Sequence, residues 1–296
     1  GAVTWGDGTR GITGNVVDDT NSIIGADGDY IGSDGVVALT NGNYVVASSH
    51  WNQDSGAVTW GDGSVGTVGS DIGGLMSMTG NSGDRIGSDG VTALTNGNYV
   101  VASSHWNGNV GAVTWGDGNH GSIGGVNDGN SLVGSDTDDF VGSDGVTALA
   151  NGNYVVASSH WGGNRGAVTW GDGNSGTIGK VDDNSSLVGN VGGDLLGSDG
   201  VTALTNGNYV VASSHWGSDR GAIVWSDGNH GIVGRIDESY ALTGNNAGDL
   251  VGSDGVTALA NGNYVVASSH WNQDSGAVTW GDGNSGAVGH VSEDNS

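Results

Sequence analysis

The chain has 296 residues with 62 Gly, no Pro and no Cys, and its 6 Lys and Arg stand against 32 Asp and Glu, a formal charge of −26. The absence of Cys excludes a disulfide framework, and the acidic excess argues against nucleic acid and anionic membranes, which attract Lys and Arg. No apolar run approaches the roughly 18 residues of a membrane helix, so membrane insertion is not expected.

Read in chain order, the sequence opens on Gly-Ala-Val-Thr-Trp-Gly-Asp-Gly at Gly1. The phrase returns at Gly56, Gly111, Gly166 and Gly276, and as Gly-Ala-Ile-Val-Trp-Ser-Asp-Gly at Gly221. Between these copies lies Asn-Tyr-Val-Val-Ala-Ser-Ser-His-Trp, with its Tyr at Tyr44, Tyr99, Tyr154, Tyr209 and Tyr264. The step is 55 residues throughout, with no insertion or deletion. Such a period marks an array in which each unit buries its apolar face against its neighbours.

Residues 33–87 illustrate one unit. Val36 to Leu39 reads as a first strand, and Thr40-Asn41-Gly42-Asn43 as a hairpin turn. Tyr44 to Trp51 reads as the second strand, Asn52 to Ser55 as a polar loop, and Ala57 to Trp60 as the third strand. Gly61-Asp62-Gly63 is a turn, Thr67-Val68 a weak edge strand, and Met76 to Thr79 the fourth strand. No segment has helical period. Tyr44-Val45-Val46-Ala47 is apolar on both faces, as expected of a sheet packed on both sides.

These features predict an all-β fold: a single five-bladed β-propeller of four-stranded blades, with a β-solenoid as the alternative. The Asn-Gly hairpins favour antiparallel blades. Coil-on-coil stacking would also place Asp7, Asp62, Asp117, Asp172, Asp227 and Asp282 in a column of like charges. The expected blades are 33–87, 88–142, 143–197, 198–252 and 253–296, the last completed by Ser22 to Gly32. One of the segments 1–21 and 276–296 is then redundant, leaving a monomer or a dimer formed through the spare strand.

The paired phrases Asn-Gly-Asn-Tyr-Val-Val-Ala-Ser-Ser-His-Trp and Gly-Ala-Val-Thr-Trp-Gly-Asp-Gly resemble repeats of filamentous-haemagglutinin-type bacterial surface proteins. That resemblance covers essentially the whole chain. It implies an extracellular or cell-surface location in a bacterium and carries no implied chemistry. The four residue types Asp34, Ser48 or Ser49, His50 and Trp51 are similar in composition, though not in spacing, to the Asp-His-Ser-Trp network of WD-repeat propellers. The expected blade count is similar to that of tachylectin-type lectins, which carry one sugar site per blade interface.

Three chemistries merit weighing. His50, His105, His160, His215 and His270 invite a Ser-His-Asp reading with Ser49 and Asp34. Ser49 and His50 are neighbours on a predicted strand and so point to opposite faces. A structural His bonded to a turn Asp is the plainer reading. Gly-Asp-Gly-Asn-x-Gly at 116–121 and 171–176 resembles a calcium turn, with Ca2+ as the candidate cofactor and a bare Asp-Gly turn as the plainer reading.

The third is a repeated ligand site for a glycan or another surface protein. It would comprise Asp34, Trp51 and Asn52; Asp89, Trp106 and Asn107; Asp144 and Trp161; Asp199 and Trp216; and Asp254, Trp271 and Asn272. An indole offers an apolar platform, and carboxylate and amide groups bind hydroxyls. Packing of the Trp between units is the plainer reading, and Gly162 and Gly217 remove the amide from two repeats. Loop 52–55 and its counterpart 272–275 are both Asn-Gln-Asp-Ser. The expected role is therefore a non-enzymatic scaffold, adhesion or interaction module, with a multivalent lectin as the alternative.

Overall fold

The structure, a computed structural model, describes residues 1–12 and 17–296. It is mostly β, and each repeat builds its own sheet. Two compact units emerge from the contacts: Gly1–Val133 with Gly173–Gly179, and Gly134–Asp172 with Lys180–Ser296.

In the first unit, Val36–Ala38, Tyr44–Ser48, Ala57–Gly61 and Ser77–Thr79 form an antiparallel meander. Its outer edge is extended by Gly124–Gly125 of the following repeat, which pairs parallel to Met78 and Thr79. Val91–Ala93, Tyr99–Ser103, Ala112–Gly116 and Ser131–Val133 repeat the meander. The second unit follows the same rule. Gly234–Arg235 adds parallel to Leu187–Val188, and Gly289–His290 adds parallel to Leu242–Thr243. Its last sheet is Val256–Ala258, Tyr264–Ser268 and Ala277–Gly281.

Within each unit, consecutive sheets pack face to face. In the first unit Leu39, Val45, Ala47, Val58, Met78 and Ile86 of one repeat meet Tyr99, Val101, Ala112, Val126 and Val133 of the next. Val45 and Val46 point to opposite faces and are both fully buried, as two-sided packing requires. Burying side chains of this size stabilises the array by about 2 kcal/mol each.

Several expectations change. The second strand stops at Ser48 rather than Trp51, because Ser49 and His50 turn the chain and Trp51 opens a left-handed turn. The weak edge strand lies two residues beyond Thr67-Val68. Gly69 bridges Ile23 in parallel, the pairing that Gly124 makes one repeat later, and Val68 is exposed. The 55-residue step also hides a local shift. Ala57 pairs with Thr79, whereas Ala112 pairs with Val133, one residue earlier in the period. The loop that follows absorbs it: Asn81 lies three residues before its partner Asp84, and Ser135 four before Asp139.

Ser22 to Gly32 is expected to complete the last sheet, and here its first residues pair elsewhere. Ser22–Ile24 pairs with Ala2–Thr4, and Thr4 Oγ1 meets Ser22 Oγ at 2.7 Å. Thr279 meets Ser296 in the same way at 2.6 Å. Both Ala2–Thr4 and Ala277–Gly281 form strands of their own repeats. Positions 13–16 of the 1–21 segment lie outside the described residues.

Candidate functional site

The turn after the second strand gathers most of the polar side chains singled out by the sequence. Asp34 accepts from the Ser49 backbone N–H at 2.6 Å and from Ser49 Oγ at 3.0 Å. Asp89 holds Ser104, Asp144 holds Ser159, and Asp199 holds Ser214 in the same way. Asp254 accepts from the Ser269 N–H at 2.6 Å. That N–H is the main reason the Asp254 carboxyl lies below its ordinary range. These aspartates fasten the first loop to the end of the second strand. The WD-like composition thus reduces to an Asp–Ser tie.

The histidines face elsewhere. His50 Nδ1 lies 2.7 Å from Asp54 Oδ1, and His215 and His270 meet Asp219 and Asp274 at 2.8 Å. Where Asn109 and Asn164 replace that Asp, His105 and His160 turn to Ser104 and Ser159 Oγ at 3.3 Å. The resulting order is His–Ser–Asp. A nucleophilic serine needs the imidazole between hydroxyl and carboxylate.

The tryptophans pack inward. Trp51, Trp106 and Trp271 are half-buried against core clusters, and Trp106 Nε1 donates to the Val126 carbonyl at 3.2 Å. Trp161 and Trp216 are buried, beneath the guanidinium groups of Arg165 and Arg220 at 5.0 and 4.9 Å. Those two rings offer no open platform, which corrects the ligand-site expectation at Trp161 and Trp216. Asn52, Asn107 and Asn272 are exposed, and each contributes its backbone N–H rather than its amide. Glycine supplies the same N–H at Gly162 and Gly217, which accounts for the loss of Asn there.

The acceptors for those N–H groups escaped the sequence reading. Asp84, Asp139, Asp194 and Asp249 are buried carboxylates, and Asp29 is their half-buried counterpart. Asp84 takes the Asn81 N–H at 2.7 Å on one oxygen and the Asn107 N–H of the next repeat at 2.9 Å on the other. Asp194 takes Asn190, Val191 and Gly217 N–H groups at 2.6, 3.0 and 3.1 Å. Such burial of charge is tolerated because backbone donors surround it. A recurring Asp 23 residues before the residue that follows each Trp was the available signal.

A second inter-repeat lock centres on one carbonyl. Gly118 O receives Asn41 Nδ2, Asn43 Nδ2 and Trp60 Nε1 at 2.7, 2.8 and 2.9 Å. Gly173, Gly228 and Gly283 receive the corresponding triplets. Glycine is required at 118, since a Cβ there would strike the Gly97 carbonyl oxygen. The neighbouring aspartates shape the turn: Asp62 Oδ1 accepts Ser64 Oγ and N–H at 2.6 and 2.8 Å, which lowers its pKa. Among the described residues no group of three or more His, Cys, Asp or Glu is arranged to hold a metal ion.

Two of the open cavities are polar. Asp27, Asp29, His50, Asn52, Gln53 and Asp54 line a cavity of about 500 Å³. Asn246, Asp249, His270, Gln273 and Asp274 line its equivalent of about 420 Å³. These are the two repeats with the Asn-Gln-Asp-Ser loop. Among the described residues no helix is long and apolar enough to cross a membrane. No curated protein matches the chain. The family comparison shows a six-fold repeat of about 50 residues and gives no tie to haemagglutinin-type proteins. Its sequence model matches residues 1–33, 38–88, 93–143, 148–198, 203–253 and 258–296, so the chain belongs to the family described as a repeat of unknown function (DUF5650).

Proposed function

We propose that the chain is a non-enzymatic repeat scaffold of a bacterial surface or secreted protein, serving as a spacer or adhesion module. The carrying observation is the carbonyl lock: Gly118 and its counterparts each collect three donors from the preceding repeat. Side chains that looked catalytic are spent on turns, as with Asp34 on Ser49. The surface setting rests on the resemblance of the repeat phrases. Pulling on single chains with optical tweezers should release length in steps of one 55-residue repeat. A single all-at-once rupture, or hydrolase turnover abolished by His50→Ala, would count against the scaffold.

The two polar cavities favour a second reading, weak glycan binding by the Asn-Gln-Asp repeats. Their amide, imidazole and carboxylate groups match hydroxyl-rich ligands. A glycan array comparing the natural chain with a Gln53→Ala, Gln273→Ala variant tests it, and equal signals would dismiss it. A five-bladed ring closed by Ser22 to Gly32 would require Ser22–Ile24 to leave Ala2–Thr4. Small-angle scattering measures whether the array is a ring or open.

A further inference from the structure

Four residues after the Trp of each Ser-Ser-His-Trp stand Ser55, Val110, Arg165, Arg220 and Ser275. The residues 22 after it are Gly73, Asp128, Asp183, Glu238 and Glu293. We propose that Trp106 and Asp128 form a binding seat for an arginine side chain of a basic polypeptide.

The repeats that carry their own arginine show what such a seat holds. The Arg165 guanidinium lies 5.0 Å over the Trp161 ring, and its Nη2 is 2.9 Å from Asp183 Oδ1. Arg220 lies 4.9 Å over Trp216, and its Nη1 is 2.8 Å from Glu238 Oε1. One cation thus meets a π face and a carboxylate together. A guanidinium suits both, because it is planar and presents its donors in a fork. Beneath these lids Trp161 and Trp216 are only 6% and 3% exposed.

The repeat of Trp106 keeps the ring and the carboxylate and lacks the cation. Its strand Gly124–Gly125 and the turn that opens at Asp128 correspond to Gly179–Lys180 and the turn that opens at Asp183. Val110 stands in place of the arginine, and Trp106 is half-buried rather than buried. The Nε1 bond to the Val126 carbonyl at 3.2 Å fixes the ring, so the indole is already oriented for a ligand. Asp128 is exposed and has no hydrogen bond or ion pair among the described residues. The formal charge of −26 attracts a basic partner at longer range. Trp51 supplies an internal control: Gly73 replaces the acid, and a Cβ there would stand 3.7 Å from Trp51 Cη2. Trp271 and Glu293 repeat the pair, and the test is read at Trp106, inside the array.

The test titrates the isotope-labelled natural chain with a tri-arginine peptide and follows the indole N–H signals by NMR. The Trp106 and Trp51 signals are identified by their loss in Trp106→Phe and Trp51→Phe. Tri-arginine should shift the Trp106 signal saturably and leave that of Trp51 in place. Tri-lysine should bind about threefold more weakly, and Asp128→Asn should weaken tri-arginine by about the same factor, that of one exposed ion pair. Val110→Arg fills the seat from within, so its Trp106 signal should start shifted and tri-arginine should move it no further. An unmoved Trp106 signal, equal shifts at Trp106 and Trp51, or equal binding of tri-lysine would overturn the seat. So would undiminished binding by Asp128→Asn, or a Trp106 signal that still responds in Val110→Arg.

Discussion

Trp51 and Trp216 hold the same place in their repeats and meet different surroundings. Trp216 is buried under Arg220, and its turn runs Gly217-Ser218-Asp219. Trp51 is half-buried with no guanidinium above it, and its turn runs Asn52-Gln53-Asp54, three consecutive non-glycine residues at positive φ. A left-handed backbone costs an L-residue about 1 kcal/mol. The lidded turn holds two non-glycine residues at positive φ, Ser218 and Asp219, and the turn open to a polar cavity holds three, so the second is the more strained. Both are anchored by the same device, an aspartate carboxylate on the first N–H after the Trp. The anchor is constant, and what it presents varies.

That anchor should show the largest effect. Asp194→Ala leaves three N–H groups without their acceptor, and the chain should lose about 3 kcal/mol in urea unfolding. Asp29→Ala should cost clearly less, because Asp29 is half-buried and water can replace it. Equal losses would break the contrast between the two repeats. Next in size is the lid. Arg220→Ala should cost about 1 kcal/mol, with a red shift of Trp fluorescence as Trp216 meets water. An unchanged spectrum would mean that the burial of Trp216 does not depend on the lid.

The sheets were legible because their signals are local. The short apolar β-type run from Tyr44 to Ala47, Asn-Gly at 41–42 and the Gly-Asp-Gly turn each act within a few residues. Trp51 was misread as strand because β-propensity gave no sign that Asn52 and Gln53 adopt left-handed conformations. The pairing of Ser22–Ile24 was misread for a different reason: the period shows which segments are equivalent and not which copy a strand chooses. Within the site, the Asp34–Ser49 tie and the inward packing of Trp were accessible as plain alternatives. The buried Asp84 class was not, since in sequence it looks like another surface Asp beside Gly. Its fixed spacing of 23 residues before the residue after each Trp marks a place in the repeat, and burial and the N–H groups it accepts give that place its role.

Two smaller effects sharpen the contrast from the strained side. Gln53→Gly should stabilise by about 0.5 kcal/mol, the left-handed strain relieved less the added chain entropy of glycine. The equivalent exchange at Ser218 should do the same. A loss at Gln53 alone would mean that its side chain holds the turn.

The smallest effect is one of pH. The His50 hydrogen bond, helped by Arg85, holds the Asp54 carboxyl below its ordinary range, so the folded chain favours the ionised form. A depressed folded pKa gives stability that is fully present above the unfolded carboxylate value of about 3.9. That contribution disappears as pH falls through the lower folded value. Asp54→Asn should therefore melt earlier than the natural chain near neutrality, and the gap should close below about pH 4. Repeats carrying Asn109 and Asn164 have no carboxylate to titrate there, and changing either to Ala should give a melting difference independent of pH in this range. A gap at Asp54 that persists in acid would assign its role to shape rather than charge, and the two kinds of turn would then differ only in backbone strain.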